Sequence, residues 1–212
     1  MASVTLTSRS ALFGVVASGR CGARRDGPAR VTLAEQTGLA VAMIAARKGR
    51  ASEAAQALAT FAQIRPPARP GVVAKDGVAL VGVAPGQWLA VAEQHRAAGF
   101  VAAIARACAA VASVTDHTSA KTVVRLAGER AREVLAKGCP IDLDARAFKP
   151  GDAATTRIAH VDCTFWQVNA APAYDIAVDR SIAPSFWAWL TASAAEFGYD
   201  ITETKPNAAR QG

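Results

Sequence analysis

"KTVVRLAGERAREVLAKGCP" (residues 121–140) changes period halfway along. Residues 121–128 alternate, with Thr122, Val124 and Leu126 on one face, which predicts a strand. From Glu129 the spacing turns helical, and Ala131, Val134 and Leu135 form one apolar face. Glu133 and Lys137 stand four apart in the favourable order for an ion pair. Gly138 occupies the place of a left-handed C-terminal residue, and Pro140 cannot continue the helix.

The order then continues. "TTRIAHVDCTFWQV" (155–168) reads as one long strand and "AYDIAVDR" (173–180) as the next. "APSFWAWLTASAAEF" (183–197) is a helix with Pro184 near its start and Gly198 just past its end. "YDITET" (199–204) closes as a strand. This is β-α-β-β-α-β, the ferredoxin-like order.

The first half follows the same order. "GLAVAMIAAR" (38–47) is a continuous apolar run, as in a buried strand. "SEAAQALATFAQI" (52–64) is a helix with Ser52 as its expected N-cap, stopped by the prolines of "IRPPARPG". "VALVGVA" (78–84) and "WLAVA" (88–92) are strands. "HRAAGFVAAIARACAAV" is one helix with Phe100, Ile104 and Cys108 four apart, and "ASVTDHT" (112–118) is a strand. The expected fold class is therefore α+β, two tandem ferredoxin-like units with a joint core. The units span residues 31–118 and 119–204, after an arm at 1–30 expected to order only against a partner, and before a tail at 205–212.

With 212 residues, the chain can bury roughly 70% of its unfolded surface without a disulfide or metal staple. Cys21, Cys108, Cys139 and Cys163 show no CxxC spacing, which favours reduced thiols and a cytoplasmic location. "ALFGVVASG" resembles a short signal core, but only Arg9 precedes it closely. No apolar run approaches the ~20 residues of a membrane span. The net charge of +7 is scattered, densest at Arg20, Arg24, Arg25 and Arg30 without interleaved aromatics. No nucleic-acid motif accompanies it, so a scattered basic surface, of a kind that can face an acidic partner, is the better reading.

Candidate chemistry is sparse. Cys139 follows a helix C-terminus, where the dipole disfavours a thiolate, so a buried structural thiol is expected. Asp142 and Asp144 suit turn capping or a pair with Arg146 better than metal binding. Alternation along 155–168 puts His160, Asp162, Thr164 and Trp166 on one face. Neighbours on such a face lie ~6–7 Å apart, too far for a direct acid/base pair. A polar stripe facing a partner is the expectation. Asp116 and His117 fall on opposite faces of their strand. On the 183–197 helix, Phe186, Trp189, Leu190 and Phe197 suit the core side, leaving Trp187 either as an exposed interface anchor or packed under a local loop. There is no GxGxxG or Walker loop.

Several stretches carry a resemblance. They are "VTLAEQTGLAVAMIAARKGR", "APGQWLAVAE", "VTDHTSAKTVVRLAGERAREVLAKGCPIDLDARAF", "TRIAHVDCTFWQV" and "YDIAVDRSIAPSFWAWLTASAAEFG". In order and spacing, from Ala11 to Phe197, the chain resembles the gamma subunit of heterotetrameric sarcosine oxidase. The resemblance implies a fold similar to the folate-binding aminomethyltransferase fold, and partners in the form of alpha, beta and delta subunits. It implies a complex that oxidatively demethylates sarcosine to glycine, forming hydrogen peroxide and 5,10-methylenetetrahydrofolate. FAD, FMN, NAD, zinc and tetrahydrofolate would sit on other subunits. No catalytic, cofactor-binding or metal-binding residue is implied for this chain, which would be structural. His160, Asp162, Trp166 and Trp187 are its expected partner-facing residues. The alternative is a stand-alone folate-binding one-carbon transfer protein, whose catalytic aspartate would be Asp116 or Asp162.

Overall fold

The structure, a computed structural model, describes residues 9–23 and 27–202. In chain order it begins with β1 (Gly19–Cys21), β2 (Val31–Gln36), β3 (Ala40–Ala46) and α1 (Ala51–Ala62). β4 (Gly71–Lys75), β5 (Val78–Ala84), β6 (Gln87–Ala92), α2 (Gln94–Ala97), α3 (Phe100–Cys108) and β7 (Ala112–Asp116) complete the first half. The second half holds β8 (Lys121–Ala127), α4 (Ala131–Ala136), β9 (Ala153–Ile158), β10 (Val161–Asn169) and β11 (Ala173–Asp179). It ends with α5 (Ala183–Ala194) and β12 (Tyr199–Ile201).

Two sheets form. One has the order β4-β5-β6-β3-β7, the other β1-β12-β2-β8-β11-β10-β9. Within each lies the ferredoxin-like arrangement: β7-β3-β6-β5 in the first, β12, β8, β11 and β10 in the second. The α+β expectation and its repeat hold.

Alternation explains how the sheets stack. Ala42 and Ile44 of β3, Leu80 of β5 and Ala90 of β6 point to a core closed by Leu58 of α1 and Ile104 of α3. Val124 and Leu126 of β8, with Phe165 of β10, face a second core closed by Val134 and Leu135 of α4 and Leu190 of α5. The opposite faces meet each other: Val41, Val81, Leu89 and Val91 pack with Val123, Trp166 and Ala177. The layers run helix, sheet, sheet, helix. A strand such as β3, covered on both sides, must be apolar throughout, which is why 38–47 reads as an unbroken run.

Several expectations need correction. β2 belongs to the second sheet, between β8 and β12, so the first unit does not begin at residue 31. Val31 and Leu33, both fully buried, join the second core. The arm is ordered against its own chain. Leu12 is 1% exposed in the second core, and β1 pairs with β12. Residues 1–8 and 24–26, the end of the "YDITET" strand from 203, and the tail 205–212 lie outside the described residues. The helix expected at 95–111 is split at Gly99, whose φ of 67° is left-handed. α1 starts at Ala51, so Ser52 lies inside it, and the capping position is Arg50, paired with Glu53.

The long strand at 155–168 is in fact a hairpin. Ala159 and His160 have φ of 49° and 66°, the backbone of a type I′ turn, and Ile158 pairs with Val161 across it. An alternating stretch conceals such a turn when neither residue is glycine or asparagine.

Candidate functional site

β2 enters β3 through residues 37–39, and β7 enters β8 through 117–120; these loops carry the chain between the sheets. They are fastened together. The Thr118 hydroxyl accepts the Val41 N–H at 3.1 Å, and the His117 N–H donates to the Val41 carbonyl at 2.8 Å. Asp116 caps the turn by accepting the Thr118 N–H at 2.8 Å. The arm and the end of β11 close over the loops. The Arg180 guanidinium donates to the Arg9 carbonyl, its backbone N–H donates to Ala120 O at 2.8 Å, and the Ser10 hydroxyl donates to Glu35. A cavity of about 490 Å³ results, with Arg9, Ser10, Glu35, Thr118, Lys121 and Arg180 in its wall. Lys121 is paired with Asp179 at 2.7 Å.

The residues singled out in the sequence lie elsewhere. His160 forms the tip of the β9–β10 hairpin, and Asp162 pairs across that hairpin with Arg157 at 2.8 Å, both carboxylate and guanidinium largely exposed. Trp166 shares β10 with Asp162 but is 4% exposed, because the five-stranded sheet covers its face. Trp187 is not an exposed anchor. It is 3% exposed and joins Ala183, Phe186, Leu190 and Ala194 on the buried stripe of α5. Trp189 is the half-buried one, its ring tilted against Phe186 at 5.6 Å between centroids and lying over Gly138. Phe186 and Leu190 face the core as expected, and the stripe widens to take in Trp187 because α5 packs on both a sheet and α4.

The thiols carry no nucleophile signature. Burial raises the Cys139 and Cys108 thiols above their ordinary range and pushes Cys163 up to about 12. Asp142 accepts the Asp144 N–H at 2.9 Å, and Asp144 accepts both the backbone and side chain of Arg146 at 2.9 Å. These two aspartates cap turns, as their spacing suggested. Among the described residues no three His, Cys, Asp or Glu side chains assemble to hold a metal ion. Asp116 and Asp162 lie on different sheets, each in a local bond, and neither lines the cavity.

Sequence reasoning missed Arg9, Lys121 and Arg180. Each was visible as a charge, but their proximity depends on the arm folding back over the end of β11, which no local pattern signals.

Residues 59–204 match the family described as the GCVT N-terminal domain. The chain belongs to this family. The gamma subunit of sarcosine oxidase from Corynebacterium sp. (strain P-1) is 33% identical over 135 residues. That alignment takes in 62% of this chain and 64% of the relative, less than two thirds of its length. A chain of the heterotetrameric sarcosine oxidase from Corynebacterium sp. U-96, solved with pyrrole 2-carboxylate, superposes with a TM-score of 0.72 at 28% identity. The superposition covers 81% of this chain and 87% of that one. Aminomethyltransferase T of the glycine cleavage system from Bartonella henselae superposes with a TM-score of 0.61 at 12% identity, over 83% of this chain and 48% of its own. That last likeness is one of fold.

Proposed function

We propose that this chain is the gamma subunit of a heterotetrameric sarcosine oxidase-type complex and serves its assembly rather than its chemistry. The carrying observation is the superposition on a chain of heterotetrameric sarcosine oxidase across 87% of that chain's length. The identity to a gamma subunit supports the same reading. So does the character of the polar groups: raised thiols, locally paired aspartates and a histidine at a hairpin tip. In this reading the alpha, beta and delta subunits are its partners, in the cytoplasm. FAD, FMN, NAD, zinc and tetrahydrofolate are held by those subunits. His160 and Asp162, exposed on the β9–β10 hairpin, remain proposed partner contacts.

The lining of the cavity beside the arm supports leaving tetrahydrofolate to the other subunits. A pterin needs a flat slot with stacking surface and a carboxylate for its ring nitrogens. The lining holds hydroxyls, cations and the aliphatic Leu39, Val41 and Val123, no aromatic ring, and one carboxylate, Glu35, which accepts the Ser10 hydroxyl.

The test is co-expression of the four subunits, followed by purification and a sarcosine-dependent peroxide assay. The expected result is a flavin-coloured complex containing this chain, and failure of assembly when it is deleted. A fully active complex formed without it would refute the proposal.

A further inference from the structure

Two cations line the cavity without a carboxylate partner among the described residues. The Arg180 residue is half-buried, and its guanidinium is tethered at the surface by its bond to the Arg9 carbonyl. Arg9 sits beside it. Lys121, the third cation of the wall, is already paired with Asp179, so the unpaired positive charge is that of Arg9 and Arg180. Arg9 is exposed and Arg180 partly so, and guanidinium groups without a carboxylate partner favour an incoming carboxylate, which they can bind in a forked pair.

A second feature adjoins the first. The Arg9 guanidinium lies 4.7 Å over the centroid of the Phe13 ring. Phe13 is 68% exposed and Val15 47%, on an arm fixed by Leu12 at 1% exposure. The arm therefore buries one apolar residue as an anchor and displays two others. An aromatic ring presented on a pre-ordered segment, next to arginine, has the composition of an interface core.

We propose that the cavity and the Phe13 ridge together form the socket for an acidic segment of a partner subunit. One carboxylate of that segment enters between Arg9 and Arg180, and a neighbouring apolar side chain packs on Phe13. The proposal rests on the reading of this chain as a subunit of a larger complex. Phe13 stands outside the cavity wall, so an occupant that touches both must extend along the arm, as a polypeptide does and a small anion does not. A second copy of this chain is disfavoured by the charge of +7 on each.

The experiment uses the co-expressed complex. Arg180→Glu should weaken retention of this chain at least ~tenfold, by like-charge repulsion of the entering carboxylate. Arg180→Lys, which keeps the charge but not the fork, should weaken retention less than Arg180→Glu, and Arg106→Glu, an exposed change on α3, should leave it unaltered. Thermal melts of each isolated chain check that folding is intact. A photo-crosslinker replacing Phe13 should label a peptide of another subunit with Asp or Glu within a few residues. Unchanged retention of Arg180→Glu in an intact complex overturns this proposal alone. So does a crosslink to a peptide without acid, or a thermal shift of the isolated chain by citrate that requires Arg180 while assembly ignores it. A chain that never joins a complex overturns both this proposal and the function it rests on.

Discussion

Gly138 lies directly beneath the indole of Trp189: a Cβ at position 138 would stand 2.6 Å from Trp189 Cζ2 and 3.1 Å from the Ala159 nitrogen. The glycine is there for close approach between α4 and α5, not for a left-handed turn; its φ is not positive. Its carbonyl accepts the Ala159 N–H at 3.1 Å, tying the end of α4 to the hairpin turn. Gly138→Ala should therefore destabilise the fold by ~1–3 kcal/mol through overpacking. Urea unfolding checks this, and Trp189→Leu in the same chain should recover part of the loss.

The Ala159–His160 turn holds two non-glycine residues in the left-handed region. Such residues cost roughly 1–2 kcal/mol each relative to glycine. Ala159→Asn with His160→Gly should raise stability by about 1 kcal/mol, measured as a higher melting temperature. A lower one would mean that the His160 side chain supports the hairpin.

Arg125 and Asp175 face each other across β8 and β11, with both Nε–Oδ1 and Nη2–Oδ2 at 2.7 Å. The Asp175 side chain is 10% exposed, so its charge depends on this forked pair. Asp175 also raises the Arg125 guanidinium above its ordinary value, through the hydrogen bond first. Asp175→Ala should cost about 1.5–3 kcal/mol, the range for hydrogen bonds to charged groups. Chemical denaturation of the isolated chain reads it directly.

Burial pushes the Cys163 thiol up to about 12 from an ordinary 9.0. Below pH 9 both folded and unfolded chains hold the proton, and stability is unaffected. Between pH 9 and about 12 the unfolded chain ionises first. Stability then falls by up to about 1.4 kcal/mol per pH unit. Cys163→Ala should flatten that part of the stability profile. In the native chain Cys163 and Cys108 should resist alkylation until the protein unfolds.

The repeat was legible because it rests on periodicity. Thr122, Val124 and Leu126 did share a face, and Phe100, Ile104 and Cys108 did bury together. The missed hairpin shows the limit of that signal. Alternation continues through Ile158 and Val161 whether the chain runs straight or doubles back, since Ala159 and His160 carry no turn signature. The candidate site was less legible still. Trp187 and Trp189 are both aromatic residues on one helix, and only the position of α4 decides which goes inward.

Local side-chain pattern, then, determined the element types, the two β-α-β-β-α-β runs, the turn-capping aspartates and the poor prospects of the cysteines as nucleophiles. Each depends on neighbours a few residues apart. Tertiary structure decided what is set by distant segments. It inserted β2 between β8 and β12, buried Leu12 from the arm in the second core, and brought Arg9 to Arg180. Strand pairing and arm docking are choices among many apolar surfaces of similar affinity. They are settled by which arrangement covers all three cores at once, a property of the whole chain.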